Sequence, residues 1–353
     1  MPDALTRLTD LPLVINLLLF VACAFGVWIA GVRITVCMDE IADRKNLAKG
    51  LVGLVFLAGA TELPEIVTTL GAALQQNAKL VLGNMYGGIA LQTTILAVVD
   101  AFFVRAALTT YPRKPTNALE AALLILLLSL VLAITSFGEP FAIGHVGLGA
   151  IVLAIAYLGS IYLLRTYDQR SDWVPVDLPD DASPKVPGVD FRKLGNIGLN
   201  RLYGRVFVCC MAILALGSAI VLLAEALALQ TGLGDSFVGA TLLASTTSLP
   251  ELSTTITAAR LGAYTMAISN IFGSNLIMIV LLLPADLFYR KGPILAEADQ
   301  SAQFAIVAGA LVTAVYVVGL LVRRKPRILN MGLDSAAVLS IYIACLGGLY
   351  VLR

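Results

Sequence analysis

Charge is the first thing this chain lacks. Only 13% of its 353 residues are Asp, Glu, Lys or Arg, where soluble globular domains carry roughly a quarter. The formal net charge is +1, so no bulk field directs it to nucleic acid. Histidine is nearly missing. The one copy, His145, sits at a loop–helix edge, and there is no HExxH stretch. Imidazole-based zinc chemistry is thereby excluded. The five cysteines, Cys23, Cys37, Cys209, Cys210 and Cys345, are odd in number and scattered through apolar sequence. They form neither a disulfide framework nor a thiolate metal spacing and read as small packing residues. Long polar stretches are also missing, with one exception at 166–204, rich in Pro and Asp.

What is present is apolar sequence. Hydrophobic residues make up 59% of the chain, and the mean hydropathy is +0.89. These values predict an all-α integral membrane protein. Runs of spanning length fall near 11–36, 50–74, 78–104, 118–136, 143–165, 205–230, 236–259, 263–289, 301–322 and 333–352, which makes ten transmembrane helices. The first run is too long for the core of a signal peptide, and a single Arg precedes it. The 166–204 stretch reads as a solvated linker between two halves of five spans each. Its acidic residues match no EF-hand spacing.

The basic residues test this count. With the N-terminus outside, 19 of the 24 Lys and Arg fall in the connections after the odd-numbered spans, including the linker. That asymmetry is the positive-inside pattern. It places the linker in the cytoplasm and both termini outside, in a membrane read as a bacterial inner (plasma) membrane.

Two short stretches break the apolar pattern. ATELPEIVTT at 60–69 and TTSLPELSTT at 246–255 each put a proline and glutamate inside an apolar run. They are copies. At an offset of 186, Thr61, Leu63, Pro64, Glu65, Thr68 and Thr69 fall on Thr247, Leu249, Pro250, Glu251, Thr254 and Thr255. The match continues with Asn84 on Asn270, Gly87 on Gly273 and Asp100 on Asp286, and upstream with Gly53 on Gly239. Each half has an odd number of spans, so the second copy enters the membrane from the opposite side. Two inverted five-helix repeats result, 1–165 and 205–353, whose cores (α-repeats) are 50–104 and 236–289. Secondary transporters with this plan bind substrate near mid-membrane, where the copies meet.

The chemistry of the copied residues suits a cation. Pro64 and Pro250 have no N–H to offer the carbonyls of Ala60 and Thr246 four residues back. In hydrocarbon those carbonyls need another partner. Glu65 shares a helical face with Thr61, Thr68 and Thr69, and Glu62 joins it. Glu251 has the matching set of Thr247, Ser248, Thr254 and Thr255. Every ligand on offer is a carboxylate, hydroxyl, amide or backbone oxygen, which suits hard cations such as Ca²⁺ and Na⁺. No Lys or Arg lies at the depth of Glu62, Glu65 and Glu251. A lone carboxylate there costs at least ~2.5 kcal/mol, so a proton or a metal ion must neutralise each one. The partner stretches GNMYGG (83–88) and SNIFGSN (269–275) add the amide oxygens of Asn84 and Asn270, and small residues for close helix approach. Asp100 and Asp286 lie near helix ends, where interfacial solvation and a role in ion entry explain them equally well. The matched Asp39 and Glu225 carry a capping or vestibule role no more strongly.

The pair TELPEI with GNMYGG, and TSLPEL with SNIFGSN, resembles the two α-repeats of sodium/calcium exchangers, within the calcium/cation antiporter superfamily. The resemblance covers roughly residues 50–104 and 236–289. It implies an alternating-access antiporter, not an enzyme, that needs no cofactor and takes inorganic cations as its partners in the lipid bilayer. It also implies that Glu65 and Glu251 are central ion ligands. Thr61, Thr247 and Ser248 would serve as hydroxyl and carbonyl ligands, and Asn84 and Asn270 as ligands on spans three and eight. Three departures bear on the counter-ion. Glu62 stands where Ser usually precedes LPE in the first repeat, Asn270 stands where many members have Asp, and the first repeat has Ile89 where the second has Asn275. These changes leave exchange of Ca²⁺ against Na⁺ or against H⁺ both open. A passive cation channel is the alternative of a different kind. An intramembrane enzyme using Glu62 and Glu65 as acid–base groups is a weaker one, since no nucleophile–base pair accompanies them.

Overall fold

The computed structural model describes residues 8–170, 179, 186, 195, 197–232, 245–323, 326–328 and 330–352. Most of the predicted linker lies outside them. So do residues 233–244, which include Gly239 and the first nine residues of the predicted seventh span.

The described chain is helical, with two short hairpins. Its helices are α1 (Leu13–Lys45), α2 (Lys49–Thr61), α3 (Leu63–Leu74), α4 (Ala78–Phe103), α5 (Thr116–Ser136), α6 (Leu148–Arg170) and α7 (Leu199–Gln230). They continue with α8 (Leu249–Arg260), α9 (Tyr264–Val280), α10 (Leu282–Phe288), α11 (Gln300–Val322) and α12 (Leu333–Leu352). Seven of these helices (α1, α4, α5, α6, α7, α11 and α12) and the continuous stretch of α9 with α10 are long and apolar enough to cross a membrane, and α2 with α3 supplies a ninth span as a bent pair. The protein is therefore a multi-pass membrane protein. Large apolar side chains face outward along the long helices, among them Leu18, Phe25, Phe207 and Val208, while Thr, Asn, Gln, Asp and Glu side chains are buried inside. That distribution fits surroundings of hydrocarbon.

Local chemistry sets the ends. Asn77 caps α4 by accepting from the Leu80 N–H at 3.1 Å, and Asp299 caps α11 by accepting from Ala302 at 2.9 Å. Asn46 ends α1, and Arg323 ends α11, in the left-handed conformation (φ 50° and 52°). Helix α1 runs nine residues past the predicted end at 36, and α7 begins at Leu199 rather than 205. At roughly 1.5 Å per residue both exceed the hydrocarbon thickness. The sequence hid their ends because charged residues at a helix end look like a connection.

The two hairpins were not anticipated. β1 (Ala142–Ile143) pairs with β2 (Val146–Gly147), and β3 (Arg327–Ile328) pairs with β4 (Met331–Gly332). Each precedes a long helix, so the fifth span starts at Leu148 rather than 143. Asp286 binds the first hairpin: its Oδ2 accepts from Gly147 N–H at 2.7 Å and its Oδ1 from Ile294 N–H at 2.7 Å. Asp100 binds the second: its Oδ2 accepts from Gly332 N–H at 2.6 Å and its Oδ1 from Leu108 N–H at 2.8 Å. The expectation of interfacial solvation or ion entry is corrected here. Both aspartates are wholly buried, and each fastens the end of its helix to a hairpin from the other half of the chain.

Helices α1 and α7 pack along one another. They are tied at one end by Asn16 Nδ2 donating to Gln230 Oε1 at 3.1 Å. At the other, Arg44 donates to the carbonyls of Ile197 (2.6 Å) and Gly195 (2.9 Å). Asp39, matched by Glu225 in the sequence, pairs with Lys49 at 2.6 Å, while Glu225 is exposed. Glycine lets this pair approach the two LPE helices. A Cβ on Gly31 would stand 1.9 Å from Ser253 Oγ on α8, and one on Gly217 would stand 2.4 Å from Pro64 Cγ on α3. Gly31 and Gly217 are themselves 186 apart.

Candidate cation-binding site

The second span is not a kinked helix. It is two helices, α2 and α3, set at 52° across Glu62. Pro64 occupies the first turn of α3, where its missing N–H costs nothing. Helix α8 starts the same way, with Pro250 in its first turn after a turn at Ser248. Upstream of the break, residues 52–57 of α2 form a π-helical stretch. Ala60 lies in the last turn of α2, and the residue that would donate to its carbonyl is Pro64. Thr246 bears the same relation to Pro250. Glu65 and Glu251 each sit in the first turn of their helix, the positive end of its dipole.

The predicted residues lie inside the protein. Glu62, Glu65, Glu251, Thr61, Ala60, Thr246, Thr247, Ser248 and Asn270 are all buried, and Asn84 is half-buried. Glu65 has Glu251 and Glu62 as charged neighbours and faces the Thr247 side chain. Glu251 in turn faces Thr61, so each LPE glutamate meets a threonine from the other copy. No ion pair within 4.0 Å links these glutamates to a basic group among the described residues. Both carboxylate oxygens of Glu65 and of Glu251 are buried without a hydrogen-bond donor, as are Glu62 Oε2 and Asn270 Oδ1.

The partner helices repeat one contact. Asn84 Nδ2 donates to Thr69 Oγ1 at 3.3 Å, and Asn270 Nδ2 donates to Thr255 Oγ1 at 3.2 Å and to Thr254 Oγ1 at 3.0 Å. The hydroxyls hold the amide nitrogens and so turn Asn270 Oδ1 elsewhere. Thr68 is placed differently: it is half-buried and donates to the Pro64 carbonyl at 2.9 Å. Helix α9 meets α2 where a Cβ on Gly273 would stand 2.3 Å from the Leu54 carbonyl oxygen.

Of three further polar residues, Gln92 escaped the sequence reading, while Asn275 and Ser274 were read only as a departure between the repeats and a small packing residue. Gln92 Nε2 donates to Glu62 Oε1 at 2.8 Å. Asn275 Nδ2 donates to Thr93 Oγ1 at 3.0 Å. Gln92 Oε1, Asn275 Oδ1 and Ser274 Oγ are buried and have no partner. None of these three has a polar counterpart at the repeat offset, where Met278, Ile89 and Gly88 stand. The signal that would have found Gln92 is a buried amide eight residues after Asn84, about 80° round the same helix and so still within one broad face. His145 has no part here; it lies 3.1 Å from the Leu287 carbonyl at the hairpin.

Oxygen is thus the only ligand type on offer, and both oxygens of Glu65 and of Glu251 are without a donor. Carboxylates alone do not close a shell: among the described residues, no group of three or more His, Cys, Asp and Glu is close enough to hold a metal ion. An ion at this place would complete its coordination with the amide, hydroxyl and backbone oxygens around the glutamates.

Comparison with known proteins identifies the family. The family described as sodium/calcium exchanger protein matches residues 15–166 and again 202–351. The chain belongs to the sodium/calcium exchanger family. Among its relatives is the sodium/calcium exchanger MaX1 of Methanosarcina acetivorans, 27% identical over 279 residues, which are 71% of this chain and 77% of that protein. The inner membrane protein YrbG of Escherichia coli is 26% identical over 241 residues, 67% of this chain and 68% of that one. A solved structure of the sodium-calcium exchanger NCX_Mj, soaked with Na⁺ and Sr²⁺, has the same fold. It superposes with a TM-score of 0.69 at 17% identity over 95% of this chain and 99% of its own. In this exchanger family member the two matched segments bracket the predicted linker, and both LPE helices fall within them.

Proposed function

We propose that this exchanger is a secondary active cation antiporter that moves Ca²⁺ against Na⁺ or H⁺ by alternating access. The observation that carries the reading is the trio Glu62, Glu65 and Glu251, buried together with no basic partner among the described residues. A donor-free carboxylate oxygen costs several kcal/mol in such surroundings, and a divalent cation or protons remove that cost. Ca²⁺ bridges Glu65 and Glu251 and takes further oxygens from Thr61, Thr247, Ser248, Asn84, Asn270 and the backbone of Ala60 and Thr246. In its absence Na⁺ or protons neutralise the same groups. Only neutralised forms let the protein expose the site to the other side.

The architecture that fits this cycle is ten spans in two inverted repeats, 1–165 and 205–353, joined by a cytoplasmic linker at 166–204. It is supported by the family's double match and by the glutamate–threonine contacts across the copies. The protein sits in the bacterial inner membrane with both termini outside. Glu62 bears on the counter-ion. It adds a third negative charge that one Ca²⁺ leaves uncompensated, and Gln92 holds it by a single hydrogen bond.

The test is ⁴⁵Ca²⁺ uptake into proteoliposomes under an imposed Na⁺ gradient or an imposed pH gradient. Uptake should depend on one of the two gradients, and Glu65→Gln and Glu251→Gln should each abolish it. Uptake independent of any counter-ion would mean a channel. Exchange at the wild-type rate in either variant would remove the proposed site.

A further inference from the structure

A groove of about 410 Å³ runs between the end of α5 and the start of α6. A pocket for one small ligand measures about 300–1,000 Å³. The walls are apolar. Leu130, Ala133 and Phe137 line it a turn apart on α5, and Leu148 and Val152 line it from α6. Helix α5 ends here, so the proposed orientation puts the groove at the outer face of the membrane.

One lining residue does not match the rest. Glu139, in the connection from α5 to β1, belongs to the same groove and is only 6% exposed. Its Oε1 accepts from the Gly149 N–H at 2.7 Å. Its Oε2 is buried with no donor. Two glycines make room for the carboxylate: a Cβ on Gly147 would stand 2.1 Å from Oε1, and one on Gly149 would stand 2.6 Å from it. The Glu139 backbone is left-handed (φ 47°), a conformation that is costly for a residue with a Cβ.

No basic group neutralises this carboxylate. It makes no ion pair within 4.0 Å among the described residues. Its charged neighbour is a second carboxylate, Asp286, whose oxygens already accept from Gly147 and Ile294. His145, the basic side chain nearest in sequence, lies 3.1 Å from the Leu287 carbonyl instead. The Tyr86 hydroxyl has Glu139 as its charged neighbour but is buried without a hydrogen bond.

Apolar walls that end in one donor-free carboxylate oxygen select an amphiphile of a definite kind. Its tail is hydrocarbon, and its head is a cation that carries N–H. A primary ammonium, like that of lysine, offers three donors. A quaternary ammonium offers none. An anionic head would meet the like charges of Glu139 and Asp286.

We infer that this groove binds a phospholipid with a primary ammonium head, of the phosphatidylethanolamine class, its ammonium on Glu139 Oε2 and an acyl chain between α5 and α6. The lipid would then hold the same hairpin that Asp286 fastens.

The test is native mass spectrometry of the purified, delipidated full chain, titrated with phosphatidylethanolamine, phosphatidylcholine or phosphatidylglycerol of matched acyl chains. The wild type should retain one phosphatidylethanolamine about tenfold more tightly than either other lipid, as expected for one charge-assisted hydrogen bond. Glu139→Gln can still accept from Gly149, and it should bring phosphatidylethanolamine down to the level of phosphatidylcholine. Ala133→Trp fills the groove and should remove the retained lipid with Glu139 in place. Equal retention of the three lipids by the wild type overturns the proposal. So does tightest retention of phosphatidylglycerol, or a preference for phosphatidylethanolamine that survives in Glu139→Gln. The comparison of lipids on the wild type needs no variant, so it decides the matter even if Glu139→Gln fails to fold. Binding is read without transport, so failure of the antiport reading would leave this result standing.

Discussion

Replacing Asp286 by Asn should loosen the protein without touching the proposed ion ligands. The carboxylate accepts from the N–H of Gly147 and of Ile294, both at 2.7 Å, and the residue is wholly buried. These are short, charge-assisted bonds to backbone, each worth ~1.5–3 kcal/mol. Asparagine keeps one oxygen acceptor and turns an NH₂ group towards the other N–H, so one bond is lost and a donor meets a donor. The expected cost is ~2–4 kcal/mol, including the penalty of a buried N–H left unpaired. Asp100→Asn should cost a similar amount, since its oxygens accept from Gly332 at 2.6 Å and Leu108 at 2.8 Å. The measurement is thermal unfolding of the purified protein in detergent, followed by intrinsic fluorescence. Both variants should melt several degrees below wild type, and the double variant should lose about the sum, because the two hairpins are separate. Ca²⁺ affinity in material still folded should be unchanged. Unaltered melting of both single variants would refute the claim that these aspartates are fasteners, and a selective loss of Ca²⁺ affinity would return them to the ion path.

Four other outcomes follow from the contacts described. Gly273→Ala would drive a Cβ to 2.3 Å from the Leu54 carbonyl; backbone cannot swing aside, so a loss of ~1–3 kcal/mol in melting is expected. Gly217→Ala meets Pro64 Cγ at 2.4 Å and should slow exchange by displacing the break that holds Glu65, with expression retained. Removing the hydroxyl acceptors, Thr69→Val with Thr254→Val and Thr255→Val, frees the amides of Asn84 and Asn270 and should weaken half-saturation by Ca²⁺ in the uptake assay several-fold, or about 1 kcal/mol. Glu62→Ser should alter the pH dependence of exchange more than its preference for Ca²⁺ over Mg²⁺, measured as uptake across a pH series with each ion competing.

Much of this was legible because a membrane protein writes its interior in polar residues. The LPE glutamates stood out only because hydrocarbon makes a carboxylate conspicuous, and the offset of 186 paired residues that then proved to share contacts, such as Asn84 with Thr69 and Asn270 with Thr255. The aspartates at 100 and 286 were found by the same offset but misread. A carboxylate near a helix end looks alike whether it faces water or a backbone N–H, and only the hairpins distinguish the two. Gln92 was missed, and Ser274 and Asn275 were given no ligand role, because they break the internal symmetry and a search for ligands among matched residues discards them.

The π-helical stretch between Val52 and Leu57 has an arithmetic consequence. A wide turn of that kind holds a surplus residue that a normal helix would have no room for. Deleting one residue inside it would let the ladder close as an ordinary helix, with Ala60, Thr61 and Glu62 still pointing the way they do now. The same deletion a turn later would swing all three by about 100°. Tolerance of a shortened chain should therefore be confined to this six-residue window.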